Sequence, residues 1–243
     1  TKNIVWTLYL LASKKLYLCG PNIYLTMNKV NGLLYGVLSS ASFGLIPLFT
    51  IPAMQAGMQF ESILFYRFLF ACLALGGILL VNGQSFRIKR QDIPSLFLLA
   101  LLYLMSAVFL FWGYKFMASG VATTIHFMYP LAVALAMIFF FREKKSFSIL
   151  FAVLVSLAGA ALLSSGEIDF KGGNTTTGLI AATLSVFFYG GYIVGVRKSR
   201  AIHIPSTALT CYVMGLGALF FIIGGSLTGG IQLATGGQTW LNI

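Results

Sequence analysis

Lysine and arginine recur in this chain at every second gap between long apolar segments and are rare elsewhere. Three such gaps each hold a basic cluster: Arg87, Lys89 and Arg90; Arg142, Lys144 and Lys145; and Arg197, Lys198 and Arg200. Because Lys and Arg are retained on the cytoplasmic side during membrane insertion, alternating charged and uncharged connections indicate the number of crossings and their direction. The pattern predicts a polytopic membrane protein whose main partner is the lipid bilayer.

The composition agrees with lipid as the main solvent. Hydrophobic residues make up 58% of the 243 residues and charged residues only 9%, and the mean hydropathy is +0.91. So few polar side chains cannot cover a soluble globule of this length. The net charge of +11 lies in short connections rather than on one continuous face. We interpret it as a topology signal and a lipid-headgroup contact, and we predict no nucleic-acid partner.

Seven stretches contain the roughly 20 mostly apolar residues that a transmembrane helix needs. They lie at residues 33–54, 62–81, 93–113, 121–141, 147–164, 177–196 and 207–228. If the segment before the first stretch is cytoplasmic, the cytoplasmic connections hold ten basic residues, Lys29 and the three clusters, against Lys115 and Lys171 on the other side. The charge rule thus predicts a multi-pass protein of the bacterial inner (plasma) membrane with a cytoplasmic N-terminus.

An offset of 146 residues brings two parts of the sequence into register. The matching pairs are Gly32 with Gly178, Leu33 with Leu179, Leu38 with Leu184, Ser39 with Ser185, Gly44 with Gly190 and Tyr66 with Tyr212. Five predicted spans precede the second copy, and because five is odd the copy enters the membrane from the opposite face. The offset therefore predicts an inverted-topology repeat.

The predicted fold is an all-α integral membrane protein, a helical bundle built from inverted-topology five-helix repeats. Residues 27–166 form the first repeat, and residues 177–243 hold the first two helices of a second repeat. We expect that second repeat to be truncated, which gives about seven helices of an expected ten. Residues 1–26 are an N-terminal extension that we expect either to be non-native or to form an extra helix at residues 4–18.

Five short motifs follow one another in a specific order and spacing, although each is loose by itself. They are Phe43-Gly44-Leu45-Ile46-Pro47, Tyr66-Arg67-Phe68, Ser119-Gly120-Val121-Ala122, Tyr129-Pro130 and Phe141-Arg142-Glu143-Lys144-Lys145-Ser146. Together they resemble the EamA-type branch of the drug/metabolite transporter (DMT) superfamily, over most of residues 30–243. The resemblance implies ten helices in two five-helix EamA repeats, both termini in the cytoplasm, and export or exchange of small metabolites.

Polar side chains inside a bilayer are costly and usually face the bundle interior, so few site candidates need weighing. Arg67 lies roughly 8 Å into the second span. It is either an anion-attracting group at a cavity rim or a structural group that reaches the interface or helix-end carbonyls. His126 is either a cavity residue, and then the best proton-coupling candidate, or a buried histidine bonded to a neighbouring helix. Pro130, one turn later, removes a backbone donor, which suits a hinge or a substrate contact.

The remaining candidates for a substrate cavity are Ser39, Tyr129 and Tyr189. Ser39 belongs to a serine-rich span whose hydroxyls either face a ligand or bond to their own backbone. Tyr129 lies in the fourth span, and the 146-residue offset places Tyr189 on Phe43, beside Gly44. An aromatic cavity with few charges suits amino-acid-like or other amphipathic solutes.

The predicted function is a secondary transporter that exports or exchanges small organic metabolites by alternating access, because two mirrored halves can open a midplane site to either side. The alternatives are a channel, a non-transporting membrane subunit and an intramembrane enzyme. Against an enzyme, the chain has no His-Glu-x-x-His motif, and His126 has no carboxylate near it in its span. No cofactor or metal site is predicted, since Cys19, Cys72 and Cys211 show no ligand spacing. A homodimer is left open.

Overall fold

The computed structural model describes the chain at residues 34, 37–38, 41–42, 45–83, 86–142, 151, 154–155, 158, 175–228 and 231–232. The chain divides into two compact units, Thr1–Pro52 and Ala53–Ile243. Within the described residues all regular secondary structure is helical and there is no strand. The predicted all-α class is confirmed for this part of the chain.

Helix α1 (Ile46–Gln55) begins in the first unit, where the described residues at 34, 37–38 and 41–42 are also helical, and it ends in the second unit. Six further α-helices follow among the described residues: α2 (Phe60–Val81), α3 (Ile93–Phe116), α4 (Ser119–His126), α5 (Tyr129–Phe141), α6 (Thr175–Lys198) and α7 (Ser206–Thr228). Short 3₁₀ turns at Arg90–Asp92 and Arg200–His203 precede α3 and α7.

Among the described residues, five helical segments are long and apolar enough to cross a membrane: Phe60–Val81, Arg90–Phe116, Ser119–Phe141, Thr176–Lys198 and Ser206–Gly224. They correspond to five of the seven predicted spans. The spans predicted at 33–54 and 147–164 lie partly outside the described residues, and the residues described there are helical except for a turn at 45. The count of seven helices, and the boundaries of the two repeats, therefore stay predictions.

The fourth span is interrupted rather than continuous. Helix α4 ends at His126, a turn at 127–128 follows, and α5 starts at Tyr129 with Pro130 in its first turn. Because proline has no N–H, residue 130 cannot donate to the carbonyl four residues earlier, at position 126. The hydrogen-bond ladder resumes with Leu131 N to the carbonyl of Met128, at 3.0 Å. The span predicted at 121–141 corresponds to the apolar segment Ser119–Phe141, and the break lies beside Pro130, where the sequence predicted a hinge or a substrate contact.

Two helix pairs make the main contacts of the second unit: α3 packs along α6, and α2 packs along α7. One buried cluster joins α3, α7 and the 3₁₀ turn between α6 and α7, and it consists of Leu96, Leu99, Ala100, Ala201, Leu209 and Val213. Large apolar side chains such as Val81, Phe140 and Phe187 are exposed on the outside, as lipid contact requires. Since lipid tails are as apolar as leucine, the contacts between helices are stabilised mainly by close packing and hydrogen bonds.

One end of the second unit carries the basic connections, and we call it the basic end. Two side-chain hydrogen bonds join the connection before α3 to the start of α7 and the turn before it. Tyr212 Oη donates to the carbonyl of Phe86 at 2.6 Å, and Arg200 Nη1 donates to Gln91 Oε1 at 2.7 Å. These bonds link the α2–α3 connection to the α6–α7 connection, although more than a hundred residues separate the partners in sequence.

At the opposite end, Gln232 is tied to the start of α2 by three hydrogen bonds. Its side-chain Oε1 accepts from the backbone N of Gln59 at 2.9 Å, and its backbone N donates to Ser62 Oγ at 3.0 Å. Its carbonyl accepts from Tyr66 Oη at 3.3 Å. The first N–H groups of a helix have no partner within the helix. Gln232 satisfies the backbone donor just before α2, so the segment that follows α7 is anchored to α2.

Candidate functional site

A chain of buried polar side chains crosses three helices at mid-depth. His126, at the end of α4, has its Nδ1 2.9 Å from Ser185 Oγ in α6. The Ser185 hydroxyl is also 2.6 Å from the carbonyl of Ala182, and Ser106 Oγ of α3 donates to the carbonyl of Ser185 at 3.0 Å. His126, Ser185 and Ser106 are each at most 2% exposed. Buried polar groups are stable only when paired, so these hydrogen bonds fix α4 and α3 against α6.

The direction of the hydrogen bond between His126 and Ser185 decides whether the histidine could activate the serine as a nucleophile. Since the single hydroxyl proton of Ser185 is directed to the Ala182 carbonyl, Ser185 Oγ acts as the acceptor and His126 Nδ1 as the donor. An activated serine nucleophile needs the reverse arrangement, in which its hydroxyl donates to the histidine. The pair therefore orients the imidazole, as expected for a binding or positioning group.

Two tyrosine rings lie close to the imidazole of His126. The Tyr189 ring centroid lies 5.2 Å from the imidazole and the Tyr129 centroid 5.9 Å. The two tyrosines meet edge to face at 4.6 Å. Tyr192 lies 5.9 Å from Tyr189, and Tyr103 of α3 lies 5.2 Å from Tyr192. Such edge-to-face pairs contribute about 0.5–1.5 kcal/mol each beyond buried area, so these rings form a wall of defined geometry.

Arg67 projects from α2 toward α3. Its guanidinium carbon lies 5.6 Å from the centroid of the Phe111 ring, a distance that allows a cation–π contact. Tyr103 and Tyr114 of α3 lie near the guanidinium, and the Tyr114 hydroxyl lies 2.9 Å from Thr123 Oγ1 of α4. Arg67 thus packs against an aromatic ring of α3. Neither of the two roles that the sequence suggested for Arg67 included this contact. Through Tyr103 it is connected to the rings near His126.

A cleft of about 440 Å³ opens near the end of the second unit opposite the basic end. Its lining combines polar groups at the ends of α2 and α3 with aromatic rings of α7: Gln59, Glu61, Leu104, Lys115, Phe220, Phe221 and Gly224. Lys115 and Leu104 are eleven residues apart on α3, or roughly 16 Å at 1.5 Å per residue. The cleft therefore reaches from that end of the bundle to about mid-depth.

A continuous series of ring contacts leads from the lining of this cleft to His126. Phe221, which lines the cleft, lies 5.6 Å from Phe68, and Phe68 lies 5.7 Å from Tyr103. Tyr103 lies 6.0 Å from Tyr189, which contacts His126. The cleft and the His126 site are thus two parts of one aromatic-lined region.

The structure brings together three of the residues that the sequence singled out, His126, Tyr129 and Tyr189, and connects Arg67 to them through Tyr103. The buried, hydrogen-bonded state of His126 matches the structural interpretation of that residue. Pro130 has an exposed side chain at the start of α5, and its contribution is the helix break rather than a wall contact. Ser39 lies outside the described residues. None of these positions has been tested as a binding residue, so their roles stay predictions.

Sequence reasoning missed Ser106, Ser185 and Tyr103. Two signals could have found Ser185. It is a hydroxyl side chain inside an apolar span, and the 146-residue offset pairs it with Ser39, which the sequence did single out. Ser106 is likewise a hydroxyl side chain inside an apolar span, but no repeat offset marks it. Tyr103 carries neither signal, because it matters only through the way α3 packs on α6.

The helices and the buried polar groups together indicate the class of protein. In the part of the chain that the structure describes, five apolar segments of membrane-spanning length surround buried hydrogen bonds and border a cleft, as in a polytopic membrane protein. Residues 30–165 match the sequence profile of the EamA-like transporter family, which is more than half of the chain. The chain belongs to the EamA-like transporter family and is an integral membrane protein, and the resemblance found in the sequence is confirmed.

A named relative agrees with this assignment. An uncharacterized transporter of Bacillus subtilis (strain 168), YxxF, is 26% identical to the chain over 194 residues, which cover 76% of the chain and 59% of that protein. The chain spans about three fifths of the length of this relative. No solved structure gives a significant match to the chain.

Proposed function

We propose that the chain forms part of a secondary transporter that exports or exchanges small organic metabolites by alternating access. The observation that carries this proposal is a pair of reciprocal tyrosine hydrogen bonds at opposite ends of the α2–α7 pair. Tyr66 donates to the carbonyl of Gln232, and Tyr212 donates to the carbonyl of Phe86.

The offset of 146 residues relates both partners of these bonds. It carries Tyr66 to Tyr212, and it also carries Phe86 to Gln232. The first residues of α2 and α7, Phe60 and Ser206, are related by the same offset. In a contact across a twofold axis, residue i of one copy meets j of the other, and j meets i. This reciprocity supports two inverted repeats, the first at 27–166 and the second beginning at 177.

The two ends of the second unit differ in a way that suits alternating access. At the basic end, the Tyr212 and Arg200 hydrogen bonds close the space between connections. At the opposite end, the equivalent tyrosine bond is longer, 3.3 Å against 2.6 Å, and the cleft is open beside it. With the basic end placed on the cytoplasmic side by the charge rule, these features of the described residues support an outward-open arrangement. Reversal would break the Tyr212 bond and shorten the Tyr66 bond.

The composition of the site supports amphipathic, amino-acid-like solutes as substrates. Tyr129, Tyr189 and neighbouring rings offer apolar faces, His126 adds an imidazole that Ser185 orients, and Arg67 adds one positive charge. Sites of this type bind mostly through apolar surface and fix orientation with a few polar groups. An amphipathic solute could travel from the cleft to His126 along the rings of Phe221, Phe68 and Tyr103.

Export is tested by metabolite profiling of the medium. Bacteria that produce the longest reading frame containing this chain are expected to accumulate one class of small amphipathic metabolite outside. His126→Ala is expected to reduce that accumulation about tenfold, which corresponds to about 1.4 kcal/mol of lost interaction. The measurement is mass spectrometry of the medium, with the protein level in membranes measured in parallel.

A matched control is His203→Ala, because His203 is the other histidine of the chain and is exposed in the 3₁₀ turn before α7. This variant is expected to export normally. Equal export by the His126→Ala and unsubstituted proteins at equal membrane levels would contradict the His126 site. A medium unchanged by production of the protein would contradict export.

The proposed orientation is tested by labelling single cysteines from outside. In a background without Cys19, Cys72 and Cys211, we expect a membrane-impermeant maleimide to label Ala56→Cys in intact cells and to label Lys89→Cys only after permeabilisation. Both positions are exposed in connections at opposite ends of α2. The reverse labelling pattern would place the basic end outside and overturn a cytoplasmic N-terminus.

A further inference from the structure

Two cysteines far apart in sequence meet at the middle of the α2–α7 contact. Cys72 Sγ lies 3.9 Å from Cys211 Sγ, across 139 residues of sequence. The Cys211 thiol also lies 3.6 Å from the carbonyl of Cys72. Cys211 is buried and Cys72 is partly exposed, and both are free thiols. Sequence spacing gave no sign of this pair, because the two thiols come together only when α2 packs on α7.

Glycines on the facing helix allow this approach. A Cβ atom at Gly215 would lie 3.1 Å from Cys72 Sγ, and a Cβ at Gly76 would lie 4.0 Å from Cys211 Sγ. Cys211 also packs with Leu75 and Ala208 in a buried cluster. Each sulfur therefore occupies space that a larger side chain on the other helix would take, and the packing holds the two thiols in contact with each other.

We propose that Cys72 and Cys211 form a dithiol modification site that two-electron oxidants convert into a disulfide. A disulfide has an S–S distance of about 2.05 Å, so each sulfur moves by roughly 1 Å from the present contact. This is within reach of small side-chain rotations. The partly exposed Cys72 provides access for the reagent, and the buried Cys211 provides the second thiol.

Diamide, an azodicarboxamide, is a two-electron oxidant that can form this disulfide. The Cys72 sulfur adds to one nitrogen of the N=N bond, and a proton goes to the other nitrogen. The Cys211 sulfur then attacks the Cys72 sulfur and forms the S–S bond, while the S–N bond breaks and the nitrogen takes the second proton. The two thiols are oxidised to one disulfide, and the azo compound is reduced to a hydrazine.

The disulfide would join the centre of α2 to the first third of α7. Any rearrangement that moves one of these helices along the other would be opposed by a covalent bond. The consequence for transport rests on the proposed function, whereas formation of the bond does not. The test therefore counts thiols and does not measure transport.

The experiment uses the full chain in native membranes with Cys19→Ser, so that two thiols remain. After diamide treatment, the chain is denatured and its free thiols are labelled with a maleimide that adds mass to each. We expect two labels before oxidation, none after it, and two again after reduction with dithiothreitol. The chain should keep the mobility of a single polypeptide on a non-reducing gel.

A matched control moves one thiol by one position, through Cys72→Ala with Leu73→Cys. Leu73 is 62% exposed, so a thiol there faces away from Cys211, and this variant is expected to keep both labels. Two labels on the oxidised Cys72/Cys211 protein, under conditions that oxidise the same chain in denaturant, would overturn the proposal. Equal loss of labels in the control, or a crosslinked dimer in place of a single chain, would overturn it as well.

Discussion

Replacing Gly217 by alanine is expected to destabilise the packing of α2 on α7. A Cβ atom at position 217 would collide with the ring of Phe68. Phe68 is 4% exposed and its ring packs against Tyr103 and Phe221, so the neighbouring rings restrict its rotation. Over-packing of this kind costs about 1–3 kcal/mol. Reversible unfolding in mixed detergent–SDS micelles, followed by far-ultraviolet circular dichroism, measures the change in the free energy of unfolding.

Gly77→Ala is the matched control for this substitution. Gly77 is also a helical glycine, on α2, but a Cβ atom there meets nothing within 4 Å. Both substitutions gain the same helix propensity, roughly 1 kcal/mol in the best case, so the difference between the two variants isolates the collision. Equal stabilities for Gly217→Ala and Gly77→Ala would show that the α2–α7 contact is looser than described.

The contrast with Gly195 shows why the identity of the neighbouring atom matters. A Cβ at Gly195 would lie 2.7 Å from Leu99 Cδ2, which is the end of a flexible side chain. Leu99 can change rotamer at small cost, whereas the Phe68 ring is part of the aromatic series between the cleft and His126. A substitution at Gly217 therefore disturbs the site as well as the packing.

The sequence predicted the elements whose causes are local. The span predicted at 62–81 matches α2 (Phe60–Val81), because apolar length and flanking charges determine where a helix can cross a membrane. The break beside Pro130 has an equally local cause, the missing backbone donor. Even so, only its position could be read from the sequence, since neighbouring groups decide whether a proline bends a membrane helix or interrupts it.

The partners within the site could not be predicted in the same way. His126 was recognised because a histidine is rare in an apolar span, but its partner Ser185 lies 59 residues away. That contact depends on how α6 packs on α4. The dithiol of Cys72 and Cys211 has the same origin. Contacts across the bundle are set by helix packing, and helical periodicity does not reveal them unless a repeat offset links the positions.

Removing either hydroxyl of the reciprocal tyrosine pair is expected to shift the conformational equilibrium, in opposite directions for the two residues. Tyr212→Phe removes the bond to Phe86 at the basic end and favours opening there. Tyr66→Phe removes the bond to Gln232 and favours opening at the opposite end. A hydrogen bond contributes about 0.5–1.5 kcal/mol net, so each substitution should change the ratio of the two states by roughly two- to tenfold.

Labelling rates of single cysteines report this ratio. In a cysteine-free background, Ile88→Cys reports opening of the basic end, because Ile88 packs against the buried cluster there, and Phe220→Cys reports the cleft. Tyr212→Phe should speed labelling at 88 and slow it at 220, and Tyr66→Phe should do the reverse. The double variant should restore a ratio close to that of the unsubstituted protein, because the two effects are opposite and their sites are related by the repeat. Acceleration at both positions by both single variants would mean that the tyrosines only hold the bundle together. It would remove the reciprocal pair as support for alternating access.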